Sequence, residues 1–210
     1  MGRRLSLLSG LVPVAAGAVL AIPLGLAAAW NPTLGAVVLR CMDVLFAFPM
    51  ALLAIMVAAY LGPGLVNMTL SLVIVLLPYN VRIVWQAALE QKDLGYVEAL
   101  RATGTPVLTI LFVEILPNVL PAAIVYASTV TGSIIITAAG LSFLGLGVQP
   151  PLAEWGIMVS EGRSVIFTAP HVATLPGLAI TLLVVACNLL GDGLRDALDP
   201  RTRLAAAGVT

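Results

Sequence analysis

Charged residues are scarce in this chain. Asp, Glu, Lys and Arg make up 10% of its 210 residues, whereas 60% are hydrophobic, and a soluble domain of this size carries about 25% charged residues. Too few polar side chains remain to cover a water-facing surface, and several apolar runs reach the length that crosses a bilayer. The net charge is zero, so no strongly basic surface indicates a nucleic-acid partner. The composition predicts an integral membrane protein.

The residues that carry most site chemistry are also rare. Lys92 is the single lysine and lacks the glycine loop of a phosphate-binding P-loop, which excludes ATP hydrolysis by that route. His171 is the single histidine, which excludes HExxH and paired-histidine zinc sites. Cys41 and Cys187 lie far apart, and we interpret both as small apolar packing residues. These absences exclude a P-loop, HExxH and paired-histidine zinc sites and a CxxC site.

The apolar segments predict an all-α membrane protein with about five transmembrane helices. The stretch 107–148 would span about 60 Å as one straight helix, twice the thickness of the hydrocarbon core. We therefore expect it to break near Pro117 and Pro121, with residues 107–117 near the interface and residues 140–170 forming an external loop or re-entrant segment. The five predicted spans are 5–29, 44–61, 65–84, 119–139 within the 107–139 stretch, and 171–190.

The basic residues predict the orientation, because cytoplasmic loops are enriched in Lys and Arg. Five spans place the larger group on one side: Arg40, Arg82, Lys92, Arg101, Arg195, Arg201 and Arg203. The other side receives Arg3, Arg4 and Arg163. This predicts that the 85–106 loop and the C-terminus are cytoplasmic and that the N-terminus is outside. Since Arg3 and Arg4 then break the rule, we expect that a span upstream of residue 1 is missing.

The 85–106 loop is the most polar part of the chain and predicts a short amphipathic helix. Asp93 can cap its start, Gly104 can end it, and Pro106 can stop it from restarting. Three apolar residues share one face, and Glu98 and Arg101 can pair on another. Spacing alone also fits a solvated connector lying on the membrane surface. The three apolar residues are Tyr96, Val97 and Leu100.

Four sequence blocks carry a resemblance. Residues 96–104 (Tyr-Val-Glu-Ala-Leu-Arg-Ala-Thr-Gly), followed by Ile-Leu-Pro-Asn at 115–118, resemble the EAA signature of ABC importer permeases. Residues 43–49, 141–156 and 188–201 resemble, in that order, a helix start, an external segment and the C-terminal end of the C-type permease of dipeptide, oligopeptide and nickel importers. The similarity covers about residues 5–203. The chain departs from the pattern at Leu100, Pro106 and Glu114, and the family's first span is absent.

This resemblance implies one permease domain over residues 1–210, with its core at 5–203, in the inner membrane of a prokaryote. It implies transport by alternating access in a chain that is not itself an enzyme and has no cofactor, metal site or catalytic residue. The implied partners are a second permease subunit, two cytoplasmic ATPase subunits that hydrolyse ATP, and an external solute-binding protein. Peptide, nickel and glutathione importers share these motifs. A truncated, non-transporting relative or an assembly factor is the alternative. The resemblance implies that the signature helix docks on an ATPase subunit through Tyr96, Val97, Glu98, Ala99, Leu100, Arg101 and Gly104.

Hydroxyl residues recur on the fourth span and are weaker candidates. Thr129, Ser133 and Thr137 are four residues apart, which fits either a polar translocation path or helix packing through small side chains. Asn67 and Ser71 are similar candidates for the path. An intramembrane aspartyl protease with Asp43 and Asp192, and a serine hydrolase at 140–144, are both disfavoured by the surrounding sequence.

Overall fold

The computed structural model describes residues 2–198, which form helices joined by short turns, with no strand in that range. A short π-helical segment, Ile110–Ile115, joins α6 to α7, and a 3-10 turn, Arg163–Val165, follows α8. The helices are α1 (Gly2–Trp30), α2 (Pro32–Phe46), α3 (Met50–Leu61), α4 (Leu65–Lys92), α5 (Gly95–Ala102), α6 (Val107–Thr109), α7 (Leu116–Phe143), α8 (Trp155–Gly162) and α9 (His171–Leu198).

Four helical stretches in residues 2–198 are long and apolar enough to cross a bilayer, and the bent pair of α2 and α3 raises the number to five. This confirms the all-α membrane fold with about five spans. The straight second helix predicted over 44–61 is wrong, however. α2 already begins at Pro32, with Asn31 capping its first turn, and the chain bends by 91° between Phe46 and Met50. Pro49 accounts for the bend, because proline has no N–H to continue the helix.

The expected break near Pro117 and Pro121 does not form. Residues 107–143 make one continuous helical stretch of 37 residues. Pro117 lies in the first turn of α7, where a missing N–H is tolerated. The π-helical segment before it widens the helix, so that the Leu116 N–H donates to the Leu111 carbonyl. Asn118 Nδ2 donates to the Glu114 carbonyl at 2.8 Å, which satisfies a further backbone group next to the proline.

Residues 144–170 form a structured segment that contains α8. The Glu154 carboxylate caps this helix by accepting from the Gly156 N–H at 3.1 Å, and Glu154 is buried. Ser6 of α1 reaches the same place, since its hydroxyl accepts from the Trp155 N–H at 3.1 Å. Gly156 lies against the Ala139 backbone of α7, where a Cβ would not fit. α8 therefore packs tightly on the end of the helix bundle.

The core lies between α1 and α4, which make the most extensive helix contact in the described chain. Glycines on α1 permit the approach, because a Cβ on Gly25 would lie 2.6 Å from Val84 Cγ1 and a Cβ on Gly17 would lie 3.0 Å from Asn80 Nδ2. A second cluster of buried apolar side chains joins α3, α4, α7 and α8, with Met68 and Leu72 fully buried at its centre.

Two sets of contacts define the two ends of the bundle. At the α5 end, Lys92 Nζ donates to the Ala29 and Trp30 carbonyls at 2.7 and 3.1 Å. At the α8 end, the Gly64 N–H donates to the Gly147 carbonyl at 2.9 Å. Arg40 was expected between the first two spans and Arg82 near the end of the third, but they lie well within α2 and α4, because both helices extend beyond the predicted spans. Arg201 and Arg203 lie outside the described residues.

Candidate functional site

The amphipathic helix predicted in the polar loop is α5, and its apolar face points into the bundle. Val97 is fully buried among residues of α1, α4, the π-helical segment and α7, while Tyr96 and Leu100 are half-buried against the same cluster. Val97 is fully buried, so its side chain packs inside the bundle and is not presented to solvent, and its expected contact with an ATPase subunit stays a prediction. The other members of this buried cluster include Leu26, Val84, Ala88, Ile110, Ile115 and Val119.

The opposite face of α5 is open to solvent. Glu98, Ala99, Arg101 and Ala102 are all exposed there. The expected ion pair between Glu98 and Arg101 does not form in this part of the structure. Instead, the Arg101 guanidinium carbon lies 4.3 Å from the centroid of the Trp30 ring, within the range of a cation–π interaction. The Glu98 carboxylate is left free to meet a partner.

The two ends of α5 differ in how their backbone groups are bonded. The Thr105 N–H donates to the Leu100 carbonyl at 3.1 Å and the Gly104 N–H to the Arg101 carbonyl at 3.0 Å, the two bonds of a Schellman motif. Gly104 has φ of +75°, which confirms it as the helix end. The predicted cap is wrong, because Leu94 occupies the N-cap position without a side-chain bond and Asp93 ends α4. Pro106 directly precedes α6 and so starts the next helix rather than preventing one.

The corner between α1 and α2 contacts both the end of α4 and α5, and sequence reasoning missed it. Lys92 bonds the last carbonyls of α1, and Trp30 lies under Arg101. The single lysine of the chain and a tryptophan at the end of a predicted span were the available signals, because cations favour helix C-termini and Trp favours membrane interfaces. The contact between Arg101 and Trp30 therefore connects α5 to the end of α1.

The α7 candidates share one outward face, as their spacing predicts. Thr129 and Ser133 are exposed and Thr137 is half-buried. Each hydroxyl donates to a backbone carbonyl of its own helix, at 2.8–2.9 Å. Backbone bonding leaves the hydroxyl oxygens able to accept from water, a solute or a neighbouring subunit. Their place on an open face keeps them as candidates for the translocation path.

Asn67 and Ser71 both form hydrogen bonds with backbone carbonyls of the chain. Asn67 Nδ2 donates to the Leu61 and Gly62 carbonyls at 2.8 and 3.1 Å and so satisfies the end of α3. Ser71 is fully buried and donates to the Asn67 carbonyl at 2.7 Å. Asn67 is half-buried, whereas Thr129 and Ser133 are exposed. The expected role of Asn67 and Ser71 as path-lining residues stays a prediction.

An ion pair links α2 to α4, and the sequence analysis had not singled it out as a site. Arg82 Nη2 donates to Asp43 Oδ1, and the guanidinium also lies 4.4 Å from the Phe46 ring centroid. Asp43 is thus partnered by an arginine and not by a second carboxylate. Asp192 lies within α9, beyond the end of the span predicted at residue 190.

Comparison with known proteins identifies the family. A family profile described as "Binding-protein-dependent transport system inner membrane component" matches residues 21–204. This chain belongs to that family. The permease is 48% identical over 204 residues to the glutathione transport system permease protein GsiD of Pectobacterium atrosepticum, which covers 97% of this chain and 68% of the relative. It is 47% identical over 206 residues to the di/tripeptide transport system permease protein DppC of Pseudomonas aeruginosa, covering 98% and 68%.

The helical arrangement of this permease has a counterpart among solved structures. The inward-facing MetNI methionine ABC transporter, in its native crystal form, superposes with a TM-score of 0.74 at 20% sequence identity, covering 94% of each chain. The selenomethionine crystal form gives a TM-score of 0.75. The fold is therefore shared with that transporter, whereas the family match and the close relatives confirm the resemblance to ABC importer permeases.

Proposed function

We propose that this permease forms half of the membrane pathway of an importer for peptides or for glutathione. The observation that supports this best is the similarity to glutathione and di/tripeptide permeases over nearly the whole chain. The chain spans about two-thirds of the length of these relatives. A truncated, non-transporting protein or an assembly factor is the alternative, and the family match does not favour it.

The proposal assigns energy coupling to α5. Its exposed face, with Glu98, Ala99 and Arg101, docks in a groove of a cytoplasmic ATPase subunit. Its buried face, with Val97, Tyr96 and Leu100, passes the displacement to α1, α4 and α7. A helix fixed at its end by the Schellman motif at Gly104 suits this role, because a rigid element transmits a push without bending. Of the seven residues expected at this site, three thus form an outer docking group, three form an inner transmitting group, and Gly104 ends the helix.

The proposed assembly contains a second permease subunit, two ATPase subunits that supply the energy, and an external solute-binding protein. One permease domain extends over about residues 5–203 in the inner membrane of a prokaryote. When ATP closes the ATPase dimer, the α5 helices of the two permeases approach each other and the pathway opens outward. Thr129, Ser133 and Thr137 line one side of that pathway, where exposed hydroxyls support contact with a polar solute.

The test of coupling compares two exposed acids at the α5 end of the molecule. Glu98→Ala, on the outer face of α5, is expected to lower ATP-driven uptake of dialanine or glutathione at least tenfold in proteoliposomes that contain the complete transporter. Glu90→Ala, on the exposed side of α4, is the matched control and is expected to transport normally. Co-purification of the ATPase subunits and the amount of inserted permease are measured for both. Equal uptake by the two variants would contradict docking through α5.

The orientation of the molecule needs its own test. The basic residues that the structure leaves at the α5 end, Lys92, Arg101 and Arg195, support a cytoplasmic location for that end and for the C-terminus. Gln91→Cys in a background of Cys41→Ala and Cys187→Ala is expected to resist an impermeant thiol reagent in intact cells and to react in inverted vesicles. Labelling in intact cells would place α5 outside and overturn both the orientation and the docking proposal.

A further inference from the structure

The ion pair between Asp43 and Arg82 lies at membrane depth. Arg82 is ten residues before the end of α4 at Lys92, which is a distance of about 15 Å along the helix. Two residues away on the same helix, Asn80 packs against Gly17, which lies near the middle of α1. α4 runs through the centre of the described bundle, so its position fixes the depth of the pair.

Both charged side chains are nonetheless accessible on the surface of the chain. The Arg82 side chain is 47% exposed and the Asp43 side chain is 42% exposed. A charge at this depth is costly against lipid, and ionisable residues in membrane spans almost always face the bundle interior or a water-filled cavity. The Asp43 and Arg82 side chains do not face the interior of this chain. This surface must therefore be turned toward water or toward another subunit.

The adjacent backbone supports water rather than lipid. The 91° bend between α2 and α3 comes directly after Phe46, and the residues that form it, Ala47, Phe48 and Pro49, are all exposed. α3 begins at this bend without a side-chain cap, so its first N–H groups need an outside partner. Irregular backbone is tolerated at membrane depth only where protein buries it or where it lines a water-filled cavity.

Aromatic contacts leave part of the pair's hydrogen-bonding capacity open. The Arg82 guanidinium lies over the Phe46 ring, whose centroid is 4.5 Å from that of Tyr79. Within residues 2–198, the pair shares one hydrogen bond, from Arg82 Nη2 to Asp43 Oδ1. A guanidinium has five N–H donors and a carboxylate has two acceptor oxygens. The remaining donors can bind a carboxylate, and the remaining oxygen can bind an ammonium group.

We propose that Asp43 and Arg82 line the water-filled translocation path and bind the charged groups of the passing solute. Arg82 receives a carboxylate and Asp43 receives an ammonium group. This inference rests on the proposed function, because dipeptides and glutathione each carry both groups. When the path is empty, the two charges neutralise each other, so no isolated charge lies at this depth. The ion pair separates only when a solute with matching charges replaces the bond between Arg82 and Asp43.

Accessibility of the two positions is the first test. Arg82→Cys and Asp43→Cys are made separately in the Cys41→Ala, Cys187→Ala background, and the complete transporter is treated with an impermeant methanethiosulfonate reagent. Leu182→Cys, on the exposed apolar face of α9, is the control for a dry surface. The path residues are expected to react at least tenfold faster than Leu182→Cys. Dialanine or glutathione, delivered by the solute-binding protein, is expected to slow their labelling at least fivefold.

Exchange of the two charges is the second test. Arg82→Gln and Asp43→Asn are each expected to lower uptake at least tenfold, whereas Arg4→Gln, at an exposed arginine of α1, is expected to leave it unchanged. The double variant Asp43→Arg, Arg82→Asp restores an ion pair but inverts its direction. It is expected to restore the yield of assembled complex and not to restore uptake. A purely structural pair would recover both.

Three results would overturn the inference. Labelling of Arg82→Cys and Asp43→Cys at the rate of Leu182→Cys would show a dry interface with a neighbouring subunit. Labelling that a saturating solute does not slow, or uptake by the charge-exchanged variant at the wild-type rate, would exclude solute contact. A wild-type complex that takes up neither dialanine nor glutathione would instead refute the proposed function, so the two failures are distinguishable.

Discussion

Helices α4 and α9 are alike in sequence character and opposite in environment. Both have 28 residues, and both are apolar enough to cross a bilayer. In the most apolar window of each, 56% of the α4 residues are buried within the protein, against 11% for α9. Lipid tails and a protein core are equally apolar, so hydrophobicity brings a helix into the membrane without deciding what surrounds it. Close packing decides that instead.

Small residues account for much of the difference. α1 offers Gly17 and Gly25 to α4, so the two backbones approach closely along most of their lengths. α9 meets α7 mainly where Gly132 receives Asn188 and where Gly191 lies against the Ser128 backbone. The rest of α9 presents large exposed side chains to lipid or to another subunit. They include Leu175, Leu178, Leu182, Val185, Leu189 and Leu190.

The largest expected effect comes from truncating one leucine on each helix. Leu72 of α4 is fully buried, whereas Leu182 of α9 is 70% exposed. Leu72→Ala leaves a cavity and is expected to destabilise the purified permease by about 3 kcal/mol, whereas Leu182→Ala should cost less than about 0.5 kcal/mol. Thermal unfolding in detergent measures both. Equal losses of unfolding free energy in the two variants would mean that α9 is packed as closely as α4.

Adding one methyl group to a glycine tests the packing from the other direction. Gly25→Ala places a Cβ 2.6 Å from Val84 Cγ1 and 3.0 Å from the Trp85 backbone nitrogen. Since α4 cannot move away without losing other contacts, we expect a loss of about 2 kcal/mol. Gly177→Ala on α9 meets no atom within 4 Å and serves as the control, with no loss of stability in the same assay. A neutral Gly25→Ala would show that α1 and α4 separate freely.

The smallest effect should come from the contact between α7 and α9. Gly132→Ala also creates an overlap, but the atom in the way is Oδ1 of Asn188, the tip of a side chain that can rotate. We expect a loss of about 1 kcal/mol or less, below that of Gly25→Ala. The double variant Gly132→Ala, Asn188→Ala should recover that loss, since the obstructing atom is gone. Failure of the double variant to recover would place the obstruction at Val184, whose Cγ1 would lie 3.3 Å from the added Cβ.

The sequence was sufficient for the membrane class, the approximate spans and the α5 helix, because apolar runs and a capping glycine are local signals. The incorrect predictions share one cause. These errors are the straight span at 44–61, the break near Pro117, the loop position of Arg40, the end of the third span at residue 84 and the Asp93 cap. All followed from reading prolines, charges and polar residues as boundaries. The structure carries helices past several of these boundaries, since neighbouring helices and local π-helical geometry satisfy the backbone groups involved.

Composition and periodicity by themselves determined that this chain enters a membrane as helices and has a short amphipathic helix with a defined end near Gly104. They also determined which residues of α5 share a face. Only the tertiary structure decided that Val97 faces inward and Glu98 outward, that Lys92 joins α4 to α1 and Trp30 contacts Arg101 of α5, and that Arg82 meets Asp43 beside the bend. The reason is that each of these is a contact between residues distant in sequence, and local patterns carry no information on which faces of two helices meet.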